Sequence, residues 1–390
     1  MTVCFVTSRY PPAVGGVAVS SMRVVSYLAA AGYRVHVVAT CPATAGPPYA
    51  ETSVEADTVV HRLTVVPDST ESQFFVRAYV RRLDADVRFD LFHAFFLTSV
   101  PACAAVAAAG DRPLVASIRG SDAVWLIRHP VIRRMVFSGL RRAAWLTSVN
   151  PHLIDEVAPH VGLEGRSSVI RSSAPPPTPG GWRTADATRG VVGTTGDFRP
   201  VKDIPLLVRA YAAVPAMLRR QLLLCGAFSH AQEEAWSRTL AREFGLDDEI
   251  TVTGRYPHAA APSMLVRMHV YALTSAWEGM PNGLLEAAAA GVPIVATASP
   301  GIAGLVEDGR HGLLVPHGDP RALGGALSAV LGDDDLRPGS RRARGRWRPP
   351  THPMSSGRRG SHSMRDCSES QKLRNRMRDA AVGCPSWRSC

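Results

Sequence analysis

Residues 276–297 read AWEGMPNGLLEAAAAGVPIVAT. Two acids, Glu278 and Glu286, bracket a Met-Pro-Asn-Gly turn and the opening of an Ala-rich helix; a Gly-Val-Pro break and an apolar strand follow. Pro281 suits the first turn of a helix, where its missing N–H removes no bond. The amides of Asn282, Gly283 and Leu284 are then expected to face outward, backed by the positive helix end and ready for an anion. Glu278 falls outside that helix and Glu286 about one turn inside it. A carboxylate accepts two hydroxyl hydrogen bonds at once. Acids flanking a phosphate site therefore suit a ligand with sugars on both sides of a diphosphate. A helix with an acidic first turn would explain Glu286, but not the Gly-Met-Pro-Asn-Gly loop.

Outward from this segment, strand-like and helical runs alternate. The second half offers VVGTTG (191–196), a helix over 203–217, QLLLCGA (221–227), a helix over 231–244 and EITVTGRY (249–256). A short helix at 262–267, HVYALTS (269–275), a helix over 282–290, PIVATA (293–298), HGLLVPHG (311–318) and a helix over 319–331 complete it. The first half opens on VCFVTS, with a helix over about Ser20–Ala31 stopped by Gly32. RVHVVAT (34–40), TVVHRLTVV (58–66), a helix near 72–84, FDLFHAFF (89–96) and an Ala-rich helix (99–109) come next. RPLVASIRG (112–120), a helix near 130–142 and WLTSVN (145–150) end the series. Continuous apolar strands separated by helices indicate parallel sheets covered on both faces. Residues 173–188, SAPPPTPGGWRTADAT, read as an interdomain linker. The expected class is α/β, with two Rossmann-like doubly wound domains, 1–172 and 189–335. They face across a cleft at the carboxyl ends of their strands, where such sheets bind ligands.

A chain of 390 residues accommodates two such domains. No uninterrupted apolar run reaches a membrane-spanning length of roughly 18 residues, Leu97–Gly110 being broken by Thr98, Ser99 and Pro101. The amino terminus starts on a strand, without a basic region, and Pro11-Pro12 follows too soon for a signal peptide. The expected location is cytoplasmic. Seven cysteines without a C-x-x-C pair argue against a disulfide framework or a zinc site, and Cys4 and Cys225 read as inert core thiols. The net charge of +11 belongs to the tail: residues 336–390 hold 14 of the 44 Lys+Arg and 3 of the 33 Asp+Glu, leaving 30 of each sign elsewhere. That removes the main argument for a nucleic-acid partner. The tail has no apolar period and is expected to be disordered.

Two further segments invite anions. In RYPPAVGGVAVSS (9–21) Pro11-Pro12 stiffens a loop and Gly15-Gly16 lets backbone amides approach a ligand; a plain tight turn is the competing reading. In GTTGDFRPVKD (193–203) Gly196 opens a turn, and Arg199 and Lys202 suit a diphosphate, Arg by forking onto two oxygens and Lys as a point charge. Two solvated surface cations are the alternative. Neither segment is a G-x-G-x-x-G fingerprint or a Walker A sequence, which disfavours a nicotinamide dehydrogenase.

The pair E-G-M-P-N-G-L-L-E followed by A-A-x-A-G-V-P-I-V-A-T resembles the E-x7-E signature of the family 4 glycosyltransferases, retaining enzymes of the two-domain GT-B fold. The resemblance runs over about residues 1–332, through YPPAVGG, FDLFHAFF, SIRGSD, the Gly-Arg-Lys cradle, TGRYPH and EDGRHGLLVPHGDP. It implies that Glu278 contacts the donor sugar, Glu286 holds the nucleotide ribose, and Lys202 with Arg199 binds the donor diphosphate. Amides around Met280, Pro281, Asn282 and Gly283 would also serve the donor. Gly15 and Gly16 would approach phosphate or acceptor across the cleft, with Arg119 and Asp122 on the acceptor side. The family usually has His-Gly at Arg119-Gly120, and a common variant has Arg where Asp197 stands.

The implied reaction is transfer of a sugar from a nucleotide-sugar to an acceptor hydroxyl with retention, in glycan, glycolipid or glycoconjugate biosynthesis. The acceptor would be a sugar, a lipid-linked species or a small molecule. Positive charge develops on the sugar as the nucleoside diphosphate leaves, so catalysis is neutralisation of the departing phosphate. No metal or other cofactor is expected. An epimerase of the same fold and a catalytically impaired sugar-nucleotide-binding protein are the alternatives. The tail is either a basic extension reaching anionic membrane or an aberrant terminus replacing a closing helix.

Overall fold

The computed structural model describes residues 1–333 except 14, 43–48, 56–57, 67–69, 127–129, 164 and 175–188. Nearly all of the expected linker and the whole basic tail lie outside the described residues.

The first half forms an eight-stranded sheet: β1 (Thr2–Thr7), β2 (Arg34–Pro42), β3 (Tyr49–Glu55), β4 (Thr58–Val65), β5 (Leu91–Phe95), β6 (Leu114–Ile118), β7 (Trp145–Ser148) and β8 (Ser167–Val169). Its order is β3-β4-β2-β1-β5-β6-β7-β8. All neighbours are parallel except β3 on β4. The helices are α1 (Gly16–Ala30), α2 (Thr70–Val87), α3 (Val100–Ala109), α4 (Ser121–Leu126), α5 (Pro130–Arg141) and α6 (Pro151–Val161). Every residue of β1 is buried, as both-face coverage demands. Val25 of α1 joins Phe5, Val35, Val37 and Val60 on one face, and α2, α3, α5 and α6 share a larger cluster with Phe92 and Ile118. Each such side chain contributes about 1.5–3 kcal/mol of burial.

The second half is a six-stranded all-parallel sheet: β9 (Val191–Phe198), β10 (Gln221–Phe228), β11 (Ile250–Val252), β12 (Val270–Leu273), β13 (Ile294–Thr297) and β14 (Leu313–Val315). The order β11-β10-β9-β12-β13-β14 reverses direction between β9 and β12, which opens a crevice at their carboxyl ends. Its helices are α7 (Ile204–Ala212), α8 (Ala231–Glu243), α9 (Ala261–Leu265), α10 (Asn282–Ala289) and α11 (Pro320–Gly332).

Strands β3 and β8 and helices α4 and α6 lie where the sequence expectation places no element, and the bounds of α1 and α7 differ from those expected. Helix α1 begins at Gly16, not near Ser20, because Gly15 at φ 129° breaks the chain at that point and the helix starts at once. Helix α7 stops at Ala212, short of the expected 217, since Val214 precedes Pro215 and the residue before proline is pushed out of the helical region. Strand β3 was not anticipated: it is almost wholly exposed, so nothing forces apolar alternation on YAETSVE.

Cys4 and Cys225 are buried, and burial raises the pKa of both thiols, as inert core residues require. Among the described residues no helix is long and apolar enough to cross a membrane.

Candidate active site

After β9, Pro200–Lys202 make one 3-10 turn in which the Lys202 amide donates to Arg199 O at 2.8 Å. The segment leaving β12 is zipped onto this turn: Ala276 N donates to Val201 O at 2.9 Å, and Thr274 Oγ1 to Lys202 O at 2.7 Å. This brings Lys202 Nζ to 2.5 Å from Glu278 Oε1, and Ser275 Oγ donates to the same oxygen at 2.6 Å. The two charged side chains are only 17% and 12% exposed. Each charge therefore depends on the other: removing one partner of a buried pair costs about 3–5 kcal/mol.

Helix α10 follows at once. Pro281 is its cap rather than its first residue, and the amides of Leu284 and Leu285 both donate to the Pro281 carbonyl, at 3.1 and 3.2 Å. The Leu284 amide is thus spent inside the helix, which corrects the expectation of three outward amides. Those of Asn282 and Gly283 occupy the first two positions, where no intrahelical acceptor exists. A Cβ on Gly283 would run into Thr195 Oγ1 and the Tyr271 hydroxyl, themselves 3.2 Å apart, so only glycine lets the helix head sit this low on the sheet.

The first half closes on this site with one stripe of α1. Gly16, Ser20, Arg23 and Tyr27 fall on one helix face by their spacing, and all four reach across or to the start of the connecting segment. Asn282 Nδ2 donates to Gly16 O at 3.1 Å and to Ser20 Oγ at 3.3 Å. Arg23 donates to Glu286 Oε1 at 3.0 Å and to Ser173 O at 2.7 Å, while the Tyr27 hydroxyl lies 3.3 Å from Ser173 Oγ. His258 Nε2 stands 3.6 Å from the same Glu286 oxygen. Glu286 is 12% exposed, so the carboxylate expected to hold a ribose is covered by a cation from the opposite half.

A second bridge is backbone against backbone. A Cβ on Gly279 would lie 2.5 Å from Gly120 Cα and 2.8 Å from Arg119 O. Trp277 and Met280, on either side of that contact, pack against the core of the first half, with Trp277 edge-on to His152 at 6.2 Å between centroids.

The remaining expected residues separate. Arg199 turns to Asp197, with its Nε 3.9 Å from Oδ2, and Arg255 approaches the other oxygen at 3.7 Å. Its guanidinium thus pairs away from the Lys202–Glu278 ion pair, although its carbonyl accepts from the Lys202 amide. Gly196, at φ 144°, opens the end of β9, and a Cβ there would meet nothing within 4 Å. The same holds of Gly15 at φ 129°. Arg119 lies over the Phe95 ring at 4.5 Å and donates to Ser172 Oγ at 2.9 Å; burial lowers its pKa to about 10. Asp122 is 2% exposed and accepts from the amides of Leu97, Arg119 and Gly120 at 3.0, 3.2 and 2.7 Å. Burial pushes its pKa up to about 6 against the opposing pull of those amides. Its carboxylate shapes the Arg119-Gly120 loop and faces inward. Arg23, Thr274, Ser275 and Trp277 were not singled out from sequence. The polar stripe on α1 was the available signal for Arg23; the hydroxyls and the indole carried none.

Residues 14–172 match the family described as Glycosyltransferase Family 4, and residues 189–333 the family described as Glycosyl transferases group 1. The chain is 39% identical over 115 residues to the putative colanic acid biosynthesis glycosyltransferase WcaL of Escherichia coli, covering 27% of this chain and 28% of that one. It is 33% identical to a D-inositol 3-phosphate glycosyltransferase of Corynebacterium urealyticum, over 38% and 36% of the two chains. These stretches span well under half the length of either relative. An N-acetyl-alpha-D-glucosaminyl L-malate synthase of Bacillus anthracis aligns over 83% of this chain and 87% of its own, at 24% identity. In three dimensions the sucrose-phosphate synthase of Thermosynechococcus elongatus superposes with a TM-score of 0.72 at 20% identity, covering 97% and 99%. Anabaena HepE, solved with UDP and glucose, gives 0.68 at 19%, covering 89% and 94%. Both share the GT-B arrangement of two parallel-sheet α/β domains.

Proposed function

The chain belongs to the family 4 glycosyltransferases, and from that premise we propose that it moves a sugar from a nucleotide-sugar to an acceptor hydroxyl with retention of anomeric configuration. The observation that carries the reading is the Lys202–Glu278 pair at the head of α10, 2.5 Å apart and largely covered. A cation held on Glu278, with the amides that open α10 just beyond it in the chain, is where negative charge gathers as a nucleoside diphosphate leaves. Glu278, fixed by Ser275, presents an acceptor oxygen to the sugar hydroxyls of the donor. Glu286, one turn along, is the acceptor for ribose hydroxyls once Arg23 yields it. The leaving phosphate oxygen takes the proton of the acceptor hydroxyl, so no separate nucleophile or metal enters the scheme.

The relatives named for colanic acid and inositol phosphate chemistry support a polyhydroxylated acceptor in cell-envelope or glycoconjugate synthesis, lipid-linked or free. UDP in the HepE structure makes UDP-sugars the first donors to try. A thermal-shift panel of UDP-, GDP-, ADP- and TDP-sugars tests the reading, followed by product analysis with labelled donor. Stabilisation by one nucleotide class and a new glycoside with the donor's anomeric configuration are expected. An epimerised nucleotide without glycoside, or no response to any donor, would contradict it.

A further inference from the structure

Lys202 is aimed by the residue after it. Among the described residues Asp203 is the one non-glycine residue of the second half with positive φ, at 47° and ψ 56°. This left-handed geometry is disfavoured for most side chains, and Asn and Asp tolerate it best after glycine. The position needs it. The chain must leave the Pro200–Lys202 turn and enter α7 in one residue, with Ile204 going straight into the core at 1% exposure while Lys202 points the other way, to Glu278.

One carboxylate oxygen of Asp203 is hydrogen-bonded and the other has a histidine ring as its close neighbour. Oδ1 caps α7 by accepting from Leu206 N at 3.1 Å. Oδ2 lies 3.0 Å from His317 Nε2, carried by the loop after β14. Glu233 of α8 is buried nearby, and its pKa is raised to about 7, by burial first and by the Asp203 charge second. The first turn of α7 and the loop after β14 therefore meet at the residue that follows Lys202.

We propose that Asp203, clamped between the α7 amide and His317, is a positioning residue that holds Lys202 in register for the diphosphate of the donor. The proposal rests on the reading of Lys202 given above. It predicts that Asp203 acts through Lys202, which a purely structural cap would not do.

The test is a kinetic double-mutant cycle on the full chain with the donor selected by the panel. D203A is expected to lower kcat by about tenfold or more with a smaller change in donor KM, in the range seen when one transition-state contact is displaced. D203N keeps both the left-handed geometry and the cap, and should stay within about threefold of wild type. H317A, which leaves the cap intact, should lower kcat several-fold at an unchanged melting temperature and covers the case in which D203A folds poorly. In a K202A background D203A should have no further effect on kcat. The same fold-loss in both backgrounds, or D203N as slow as D203A at equal stability, or H317A at wild-type kcat, would overturn the positioning role while leaving the transferase reading intact. A wild-type chain inert toward every donor would overturn both.

Discussion

The two halves share a sheet topology but contribute differently to the cleft. The second half builds its charged centre from its own chain: Lys202, Glu278, Ser275 and the head of α10 are locked together by contacts within one sheet and its loops. The first half brings few charges. It offers a carbonyl at Gly16, a glycine at Gly120, a socket for Trp277, and one cation, Arg23, on a carboxylate of its partner half. The charge proposed to bind the donor is thus set by local folding, whereas the contacts across the cleft join the two halves. Loss of the first kind should cut turnover; loss of the second should change binding and domain geometry.

The sharpest way to break this distinction is Glu278→Ala. On the proposed reading it removes the sugar contact, and it leaves Lys202 uncompensated in a covered site. A fall in kcat of roughly 10²–10³-fold is expected, with a stability loss of about 3–5 kcal/mol read by denaturant unfolding. A variant that kept turnover would move the chemistry elsewhere. Gly279→Ala comes next. Its Cβ would sit 2.5 Å from Gly120 Cα, so the halves must part. We expect kcat/KM to fall about tenfold, the scale of a small misplacement in an oriented site. The radius of gyration from small-angle scattering should rise, while the unfolding midpoint moves little.

Arg23→Ala should act more mildly, and on binding. Arg23 covers Glu286, so freeing that carboxylate should change the donor Kd by several-fold with kcat within about threefold. Titration calorimetry reads this; a collapse of kcat would place Arg23 in the chemistry and blur the contrast between the halves.

Buried histidines of the first half and a buried acid of the second should also respond to pH with opposite signs, Asp122 of the first half siding with the acid. In the first, burial lowers His61 to about 4 and His93 to about 3, from an ordinary 6.5. The unfolded state then binds more protons below pH 6.5, so this contribution is present above that value and declines as pH falls toward 4. In the second, burial raises Glu233 from 4.5 to about 7. Its contribution is present below pH 4.5 and lost as pH rises through 7. Glu233→Gln should accordingly raise the melting temperature more at pH 8 than at pH 5, and His61→Phe should soften the acid decline. Equal responses at both pH values would show that these groups do not govern the profile.

Much of this was readable from the chain because the strands are buried on both faces and so run as unbroken apolar text. VCFVTS, QLLLCGA and PIVATA needed no alternation to be recognised. What escaped was set by contacts distant in sequence. The exposed β3 has no apolar face to declare itself. Helix α6 carries a local signal of its own, Asn150 as cap before Pro151. At the site, the placing of Glu278 and Glu286 on either side of a helix head was legible from the Met-Pro-Asn-Gly turn between them. That Arg199 turns to its neighbour Asp197 is set by a distance no spacing rule encodes. The covering of Glu286 by Arg23 joins positions 263 residues apart and could come only from the folded chain.

The most direct measurement is a crystal structure of the chain with the nucleoside diphosphate-sugar that stabilises it best. The account predicts a pyrophosphate within about 3 Å of Lys202 Nζ and of the amides at the head of α10, with the sugar on Glu278 and the ribose on a Glu286 released from Arg23. A nucleotide bound anywhere else, with the Lys202–Glu278 and Arg23–Glu286 pairs undisturbed, would contradict it.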